Sequence, residues 1–133
     1  MKEIAPVILR IGLSLVFLWF GFMQLTNTGM WVGLIPDYAI NMSGLTAETL
    51  VRFNGAFEVI FGIALLLGFM TRIVSLLLAL HMFHILLTVG FTAIGVRDFG
   101  LAVSTLALFL LGPHKYSLDN WLCTRNSHNN VQV

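Results

Sequence analysis

Long apolar segments alternate with short polar or turn-forming stretches along the whole chain. A membrane-spanning helix needs about 20 consecutive, mostly apolar residues, and four segments meet that length. The predicted spans cover residues 5–25, 48–69, 72–91 and 93–111, with one long polar connection at 26–47. The pattern therefore predicts an all-α fold, an integral membrane four-helix bundle formed by residues 1–122. Residues 123–133 are polar, and we expect them to form a disordered tail.

Local signals support these boundaries. Thr46 precedes the second span and suits an N-cap, and Gly68 follows it and suits a C-cap. Thr71 is the corresponding N-cap candidate for the third span. A fourth helix that began only at Asp98 would measure about 21 Å, which is short of a hydrocarbon core of about 30 Å. We therefore expect the fourth helix to begin near Thr92.

Composition agrees with a membrane protein and excludes two other classes. The chain is 58% hydrophobic and 10% charged, whereas soluble domains are about 45–50% apolar and 25% charged. With a net charge of +1, the chain lacks the excess of basic residues that is typical of nucleic-acid-binding domains. Cys123 is the single cysteine, so neither an intrachain disulfide nor a dithiol pair can form.

The first apolar segment exceeds the roughly 7–15 residues of a signal-peptide core, so we interpret it as a retained helix. The lipid bilayer is the expected surrounding.

Polar residues recur at helical spacing on the first span. One stripe collects polar, small and aromatic positions, namely Arg10, Ser14, Phe17, Gly21 and Gln24. The other faces carry Ile, Leu, Val, Phe and Trp. Because lipid cannot satisfy polar groups, this stripe should face protein.

The second and third spans carry ionisable residues at membrane depth. Asn54 and Glu58 share one stripe of the second span, and His81 and His84 lie three residues apart on the third. A carboxylate in the middle of a bilayer costs roughly 2.5–3.5 kcal/mol on insertion scales. Glu58 must therefore find a polar partner or carry a proton.

Helix rise brings these residues to similar depths, in the half of the bundle away from the termini. We expect a polar site in which Glu58, His81 and His84 are the catalytic, proton-relaying residues. Glu58 would bond His81 or an arginine. The expected substrate-binding residues near that depth are Gln24, Asn54, Arg97 and Asp98. Arg10 is also expected to bind substrate: it lies deeper toward the cytoplasm, but its long side chain can reach inward.

Each of these features also has a structural interpretation. Glu58 could be half of a structural ion pair, and the histidines could be interhelical hydrogen-bond donors. Asp98 could pair with Arg97, Arg52 or a histidine. Two histidines and a carboxylate are also a ligand set for non-haem iron, but nothing in the sequence aims them at one point, so we expect no metal.

The orientation follows from Lys and Arg, which are enriched on the cytoplasmic side. Four spans place both termini on one side. The positive residues expected there are Lys2, Arg72, Lys115 and Arg125. Arg52 and Arg97 lie on the other side, so we expect both termini in the cytoplasm.

Four motifs together resemble the DoxX family: WFGFMQL at 19–25, GAFEVIFGIALLLGFMTR at 55–72, VRDFGL at 96–101 and LGPHKYSLD at 111–119. Its members are small bacterial and archaeal membrane proteins with four helices. The resemblance implies a multi-pass protein of the bacterial inner membrane or the archaeal plasma membrane. It places Glu58, Arg72, Arg97 and Asp98 at recurrent positions, and also Gln24, where many members carry lysine. Members similar to DoxD are subunits of a thiosulfate:quinone oxidoreductase.

Three functions remain open. A quinone-linked redox subunit would bind a quinone and, because the sequence has no electron carrier of its own, act with a redox partner protein. A non-enzymatic module would support the assembly of another membrane protein, with Trp31 and Tyr38 in its contact surface. A pathway for a small solute or protons would need an oligomer, since four spans are few for a transporter.

Overall fold

Six α-helices account for most of the chain in a computed structural model, which describes residues 4–114 and 116–129. The long helices are α1 (Ile4–Thr26), α3 (Ala47–Leu67), α4 (Thr71–Val89) and α5 (Ala93–Leu111). Two short helices are α2 (Asp37–Ser43) and α6 (Leu118–Asn129), and single 3-10 turns cover Thr28–Met30 and Val32–Leu34. All four long helices are long and apolar enough to cross a membrane. The prediction of an all-α fold with four such helices is confirmed.

Capping explains where two of these helices begin and where one ends. The Thr46 side chain accepts a hydrogen bond from the Thr49 N–H at 3.3 Å and starts α3. Gly68 ends α3 in the left-handed region, with φ 70°, which glycine adopts without a Cβ clash. The Thr92 hydroxyl accepts from the Gly95 N–H at 3.1 Å and starts α5.

The start of α4 differs from the expected Thr71 cap. Thr71 is the first helical residue, and Met70 precedes it with φ 46° and no side-chain cap. The Asp119 carboxylate fills this role from α6, because it accepts from the Met70 N–H at 2.7 Å and from the Thr71 N–H at 2.8 Å. A carboxylate at a helix N-terminus satisfies free N–H groups and complements the helix dipole.

The helices pack as two close pairs, α1 with α3 and α4 with α5, and the pairs meet less closely. The polar stripe predicted on α1 is buried, including Arg10, Ser14 and Gln24. Large apolar side chains such as Trp19 and Leu87 point outward. This distribution is the reverse of that in a soluble bundle and suits a lipid surrounding.

Both ends of the four-helix unit meet on one side. The Arg10 Nη2 donates to the Tyr116 carbonyl at 2.9 Å, so the first part of α1 lies beside the segment that follows α5. We call this the termini end, and the opposite end, which carries residues 27–46, the loop end. Residues 123–129 continue helix α6, where disorder was expected. Residues 130–133 of the expected tail, and also Lys2 and Lys115, lie outside the described residues.

Candidate functional site

A cavity of about 330 Å³ lies in the loop-end half of the bundle, between the two helix pairs. Each long helix contributes to its wall, and the connection between α1 and α3 covers it. Its polar lining residues are Gln24, Asn54, Glu58, His81, His84, Thr88, Arg97 and Asp98. Most of the remaining lining is aliphatic or aromatic. The structure thus brings together seven of the eight site residues proposed from the sequence.

Glu58 is the hub of the polar side chains in this cavity, and only 2% of its surface is exposed. Its Oε2 accepts from the Gln24 Nε2 at 3.0 Å, and its Oε1 accepts from the Asn54 Nδ2 at 3.2 Å. The same Asn54 nitrogen donates to the Gln24 Oε1 at 2.6 Å. Glu58 is therefore held by two neutral amides, one from its own helix and one from α1. Hydrogen bonds of this kind are what a buried carboxylate requires.

His81 approaches the same carboxylate from α4. Its Nε2 lies 3.5 Å from the Glu58 Oε1, a distance of an ion pair if the imidazole is protonated. The ring stacks at a tilt on Phe57, with centroids 4.6 Å apart. His84 lies one turn further toward the loop end, lines the cavity and is exposed. His81 is thus the histidine in direct contact with Glu58.

Arg97 and Asp98 form the second charged pair of the cavity. The Arg97 Nη2 and Nε lie 2.7 and 2.8 Å from the Asp98 Oδ1. The guanidinium also lies over the Phe20 ring, 4.2 Å from its centroid, within reach of a cation–π interaction. The sequence left Arg97, Arg52 or a histidine as partners for Asp98, and in the structure the partner is its sequence neighbour Arg97.

Arg10 does not reach the cavity. Its side chain is 4% exposed and lies at the termini end, against Gly68 and the Tyr116 carbonyl. The expectation that its long side chain extends toward the substrate was wrong, because the chain after α5 supplies a nearer acceptor. The Arg10 guanidinium also lies close to the end of α3, where a positive charge is favoured by the helix dipole.

Sequence reasoning missed the cover of the cavity. Trp31 and Ile35 from the connection line it, and Trp31 packs edge-on against Phe20 at 5.8 Å. The Tyr38 and Thr88 hydroxyls share a hydrogen bond of 3.1 Å between the connection and α4. The sequence predicts Trp31 and Tyr38 only in a possible partner surface, because aromatic residues in a loop between spans carry no signal for a position over a cavity.

The cavity combines a mostly apolar wall with a carboxyl group and an imidazole in contact. A carboxyl and an imidazole in contact can pass a proton between them. Among the described residues, no group of three or more His, Cys, Asp or Glu side chains could hold a metal ion. The contacts of Glu58 suit proton transfer between Glu58 and His81 and hydrogen bonding to a ligand.

Fold and site together define a multi-pass membrane protein, a bundle of four spanning helices that encloses a polar, carboxylate-centred cavity. The model of the DoxX family matches residues 5–91, which is more than half of the chain. The chain belongs to the DoxX family. This match includes Gln24, Glu58 and His81 and ends before Arg97. No significant match was found among curated proteins or among solved structures.

Proposed function

We propose that the cavity binds the head group of a lipid-soluble quinone and that the chain is the quinone-binding subunit of a redox assembly. The observation that carries this proposal is the contact between Glu58 and His81 in the wall of an otherwise apolar cavity. A quinone is apolar except for two carbonyl oxygens, and it reaches such a cavity through the membrane. Ligand sites between helices of a bundle have this composition, mostly apolar with a few placed polar groups.

The hydrogen bonds around Glu58 indicate whether its carboxyl group would act in the ionised or in the protonated form. An ionised carboxylate only accepts hydrogen bonds, whereas a protonated one also donates. The amide donors of Gln24 and Asn54 that face Glu58 are already used. Protonated Glu58 would therefore present its O–H to a quinone carbonyl, and His81 would replace the proton.

Reduction of a quinone consumes two electrons and two protons. Glu58 and His81 would relay the protons. The electrons would come from a partner protein or directly from a reduced substrate, because a chain with one cysteine holds no dithiol pair. An oligomer would serve this reaction as well as a single chain, since all the residues named here come from one copy.

The binding step is testable with purified protein in lipid nanodiscs and a quinone analogue. Trp31 lines the cavity and would report the analogue through fluorescence. We expect Glu58→Gln to weaken binding and Glu48→Gln, which alters an exposed carboxylate outside the cavity, to leave it unchanged. Equal binding to all three proteins, or to none, would contradict the proposal.

We further propose that both termini lie in the cytoplasm, in a bacterial inner membrane or an archaeal plasma membrane. The support is the number of Lys and Arg residues near the termini. Cys123 is the single cysteine and is exposed. A membrane-impermeant maleimide should therefore label it in inside-out vesicles and not in intact cells; the opposite result would reverse the orientation.

A second candidate is a non-enzymatic assembly module, favoured by apolar side chains on the connection. Met30 is 76% and Met42 is 85% exposed at the loop end, and exposed methionines adapt to varied partner surfaces. In this case a partner protein would fall in abundance when the chain is deleted, and Glu58→Gln would restore it as well as the natural chain does. The quinone-binding proposal instead requires that Glu58→Gln lose quinone reduction by the assembly, even where the abundance of the partner is restored.

A further inference from the structure

The formal charges in the wall of the cavity do not balance. Among the described lining residues, the carboxylates are Glu58 and Asp98, and the arginine is Arg97. Arg97 is committed to Asp98 by two contacts of 2.7 and 2.8 Å. With both histidines neutral, one negative charge on Glu58 is left over.

The neighbours of Glu58 solvate this charge without cancelling it. Gln24 and Asn54 donate hydrogen bonds but are neutral. A buried carboxylate whose neighbours are all neutral is costly in a low-dielectric surrounding. Three things could neutralise it: a proton on Glu58, a proton on His81, or a positively charged ligand in the cavity.

We propose that the cavity also binds lipophilic monocations, quaternary ammonium or phosphonium ions with apolar substituents, in exchange for a proton. Such an ion would place its charge near Glu58 and its substituents against Trp31 and the aliphatic residues Leu50, Ile85 and Leu101, which line the same cavity. Aromatic faces attract quaternary cations, and they do so more strongly when desolvated. This inference shares its cavity with the proposed quinone site but requires no redox chemistry.

The exchange with a proton follows from the groups that face Glu58. α4 contributes His81 and His84, α5 contributes Arg97 and Asp98, and α1 contributes the neutral Gln24. The lining residues of the connection are not ionisable. Protonation of Glu58 or of either histidine would make the cavity less negative, so each such step opposes cation binding. Cation affinity should therefore fall with decreasing pH.

The test uses the full-length protein in nanodiscs and isothermal titration with methyltriphenylphosphonium. Triphenylphosphine oxide, of similar shape but neutral, is the ligand control. We expect the cation to bind at least about tenfold more tightly than the oxide at pH 8. As the pH is lowered, the affinity for the cation should fall by up to about tenfold per pH unit in the range where binding must displace one proton.

Variants at Glu58 and Glu48 test whether the Glu58 carboxylate supplies the negative charge that attracts the cation. Glu58→Gln should remove the preference for the cation over the oxide, while Glu48→Gln should keep it. Equal affinity for the two ligands in the natural protein at pH 8 would overturn the proposal without any variant, and so would a cation preference that persists in folded Glu58→Gln. Binding of the quinone analogue is measured separately on the same samples. Failure of the cation proposal can therefore be told apart from failure of the quinone proposal.

Discussion

Gly21 of α1 and Gly55 of α3 lie in reciprocal backbone contact. A Cβ atom on Gly21 would lie 2.7 Å from the Gly55 carbonyl oxygen, and one on Gly55 would lie 2.8 Å from the Gly21 carbonyl oxygen. Small residues let membrane helices approach this closely. Gln24 and Glu58 each follow three residues later on the same helix face, so this crossing positions the two side chains for their 3.0 Å hydrogen bond.

We expect Gly21→Ala to destabilise the bundle, because the methyl group would meet backbone that cannot move independently. Overpacking of this kind typically costs about 1–3 kcal/mol. Thermal unfolding in detergent, followed by far-UV circular dichroism, measures the change. Gly12→Ala is the matched control, since a Cβ there has no neighbour within 4 Å. If both variants unfolded at the same temperature, the crossing would not be a tight contact.

Two substitutions at Glu58 should have different effects on stability. Glu58→Gln keeps an acceptor oxygen for Gln24 or Asn54 and a similar volume, so we expect folded protein. Glu58→Leu removes both acceptors and leaves buried amide donors unsatisfied, which costs about 1–3 kcal/mol for each group. The two unfolding temperatures, compared under the same conditions, provide the measurement. Failure of Glu58→Gln to fold would instead identify Glu58 as half of a structural ion pair.

Helical periodicity was sufficient to predict the buried face of α1. The stripe drawn on α1 from the sequence contains Phe17 and Gly21 between its polar members, and the structure buries all five positions. The reason is physical: in a membrane, polar and small residues face protein and large apolar ones face lipid. The depth estimate that grouped Glu58 with His81 used only the fixed rise of a helix.

Long-range contacts could not be predicted in the same way. Thr71 resembled an N-cap, but the capping group is Asp119, 48 residues away along the chain. Arg10 looked long enough to reach inward, but the Tyr116 carbonyl lies nearer. The cover that Trp31 provides over the cavity likewise depends on how the connection folds back. A single sequence contains no periodic signal for such contacts.

The Asp119 cap should make a measurable contribution to stability. We expect Asp119→Ala to cost about 0.5–2 kcal/mol, the usual range for loss of a helix N-cap. Asp119→Asn should cost less because it keeps one acceptor. The C-terminal segment should also become more sensitive to protease, since Asp119 joins α6 to the start of α4. Asp37→Ala is a suitable control, because the start of α2 has no side-chain cap hydrogen bond; an equal loss there would argue against the cap.

The hydrogen bond between Tyr38 and Thr88 should hold the connection over the cavity. Both groups are near the surface, so Tyr38→Phe should change the free energy of unfolding by less than about 1.5 kcal/mol. Amide hydrogen exchange in residues 32–43 should nevertheless accelerate. Thr88→Val should have the same effect, and the double variant should be no worse than either single one. Tyr116→Phe, at an exposed tyrosine outside the cavity, is the control; unchanged exchange in Tyr38→Phe would show that the connection is held by apolar packing alone.

Stability at the termini end should depend on pH through His114. Burial lowers the pKa of His114 below its usual value of about 6.5, and the nearby Arg10 charge lowers this pKa further. The unfolded chain therefore binds a proton at a higher pH than the folded protein does. Between the usual pKa and the lowered one, acidification favours the unfolded state, so stability falls as the pH drops below about 6.5. His114→Gln cannot bind this proton, and its stability should fall less over the same range. Unfolding of both proteins measured between pH 8 and pH 5 tests this expectation, because His81 and His84 are common to both. Parallel stability curves would mean that His114 titrates alike in the folded and unfolded states.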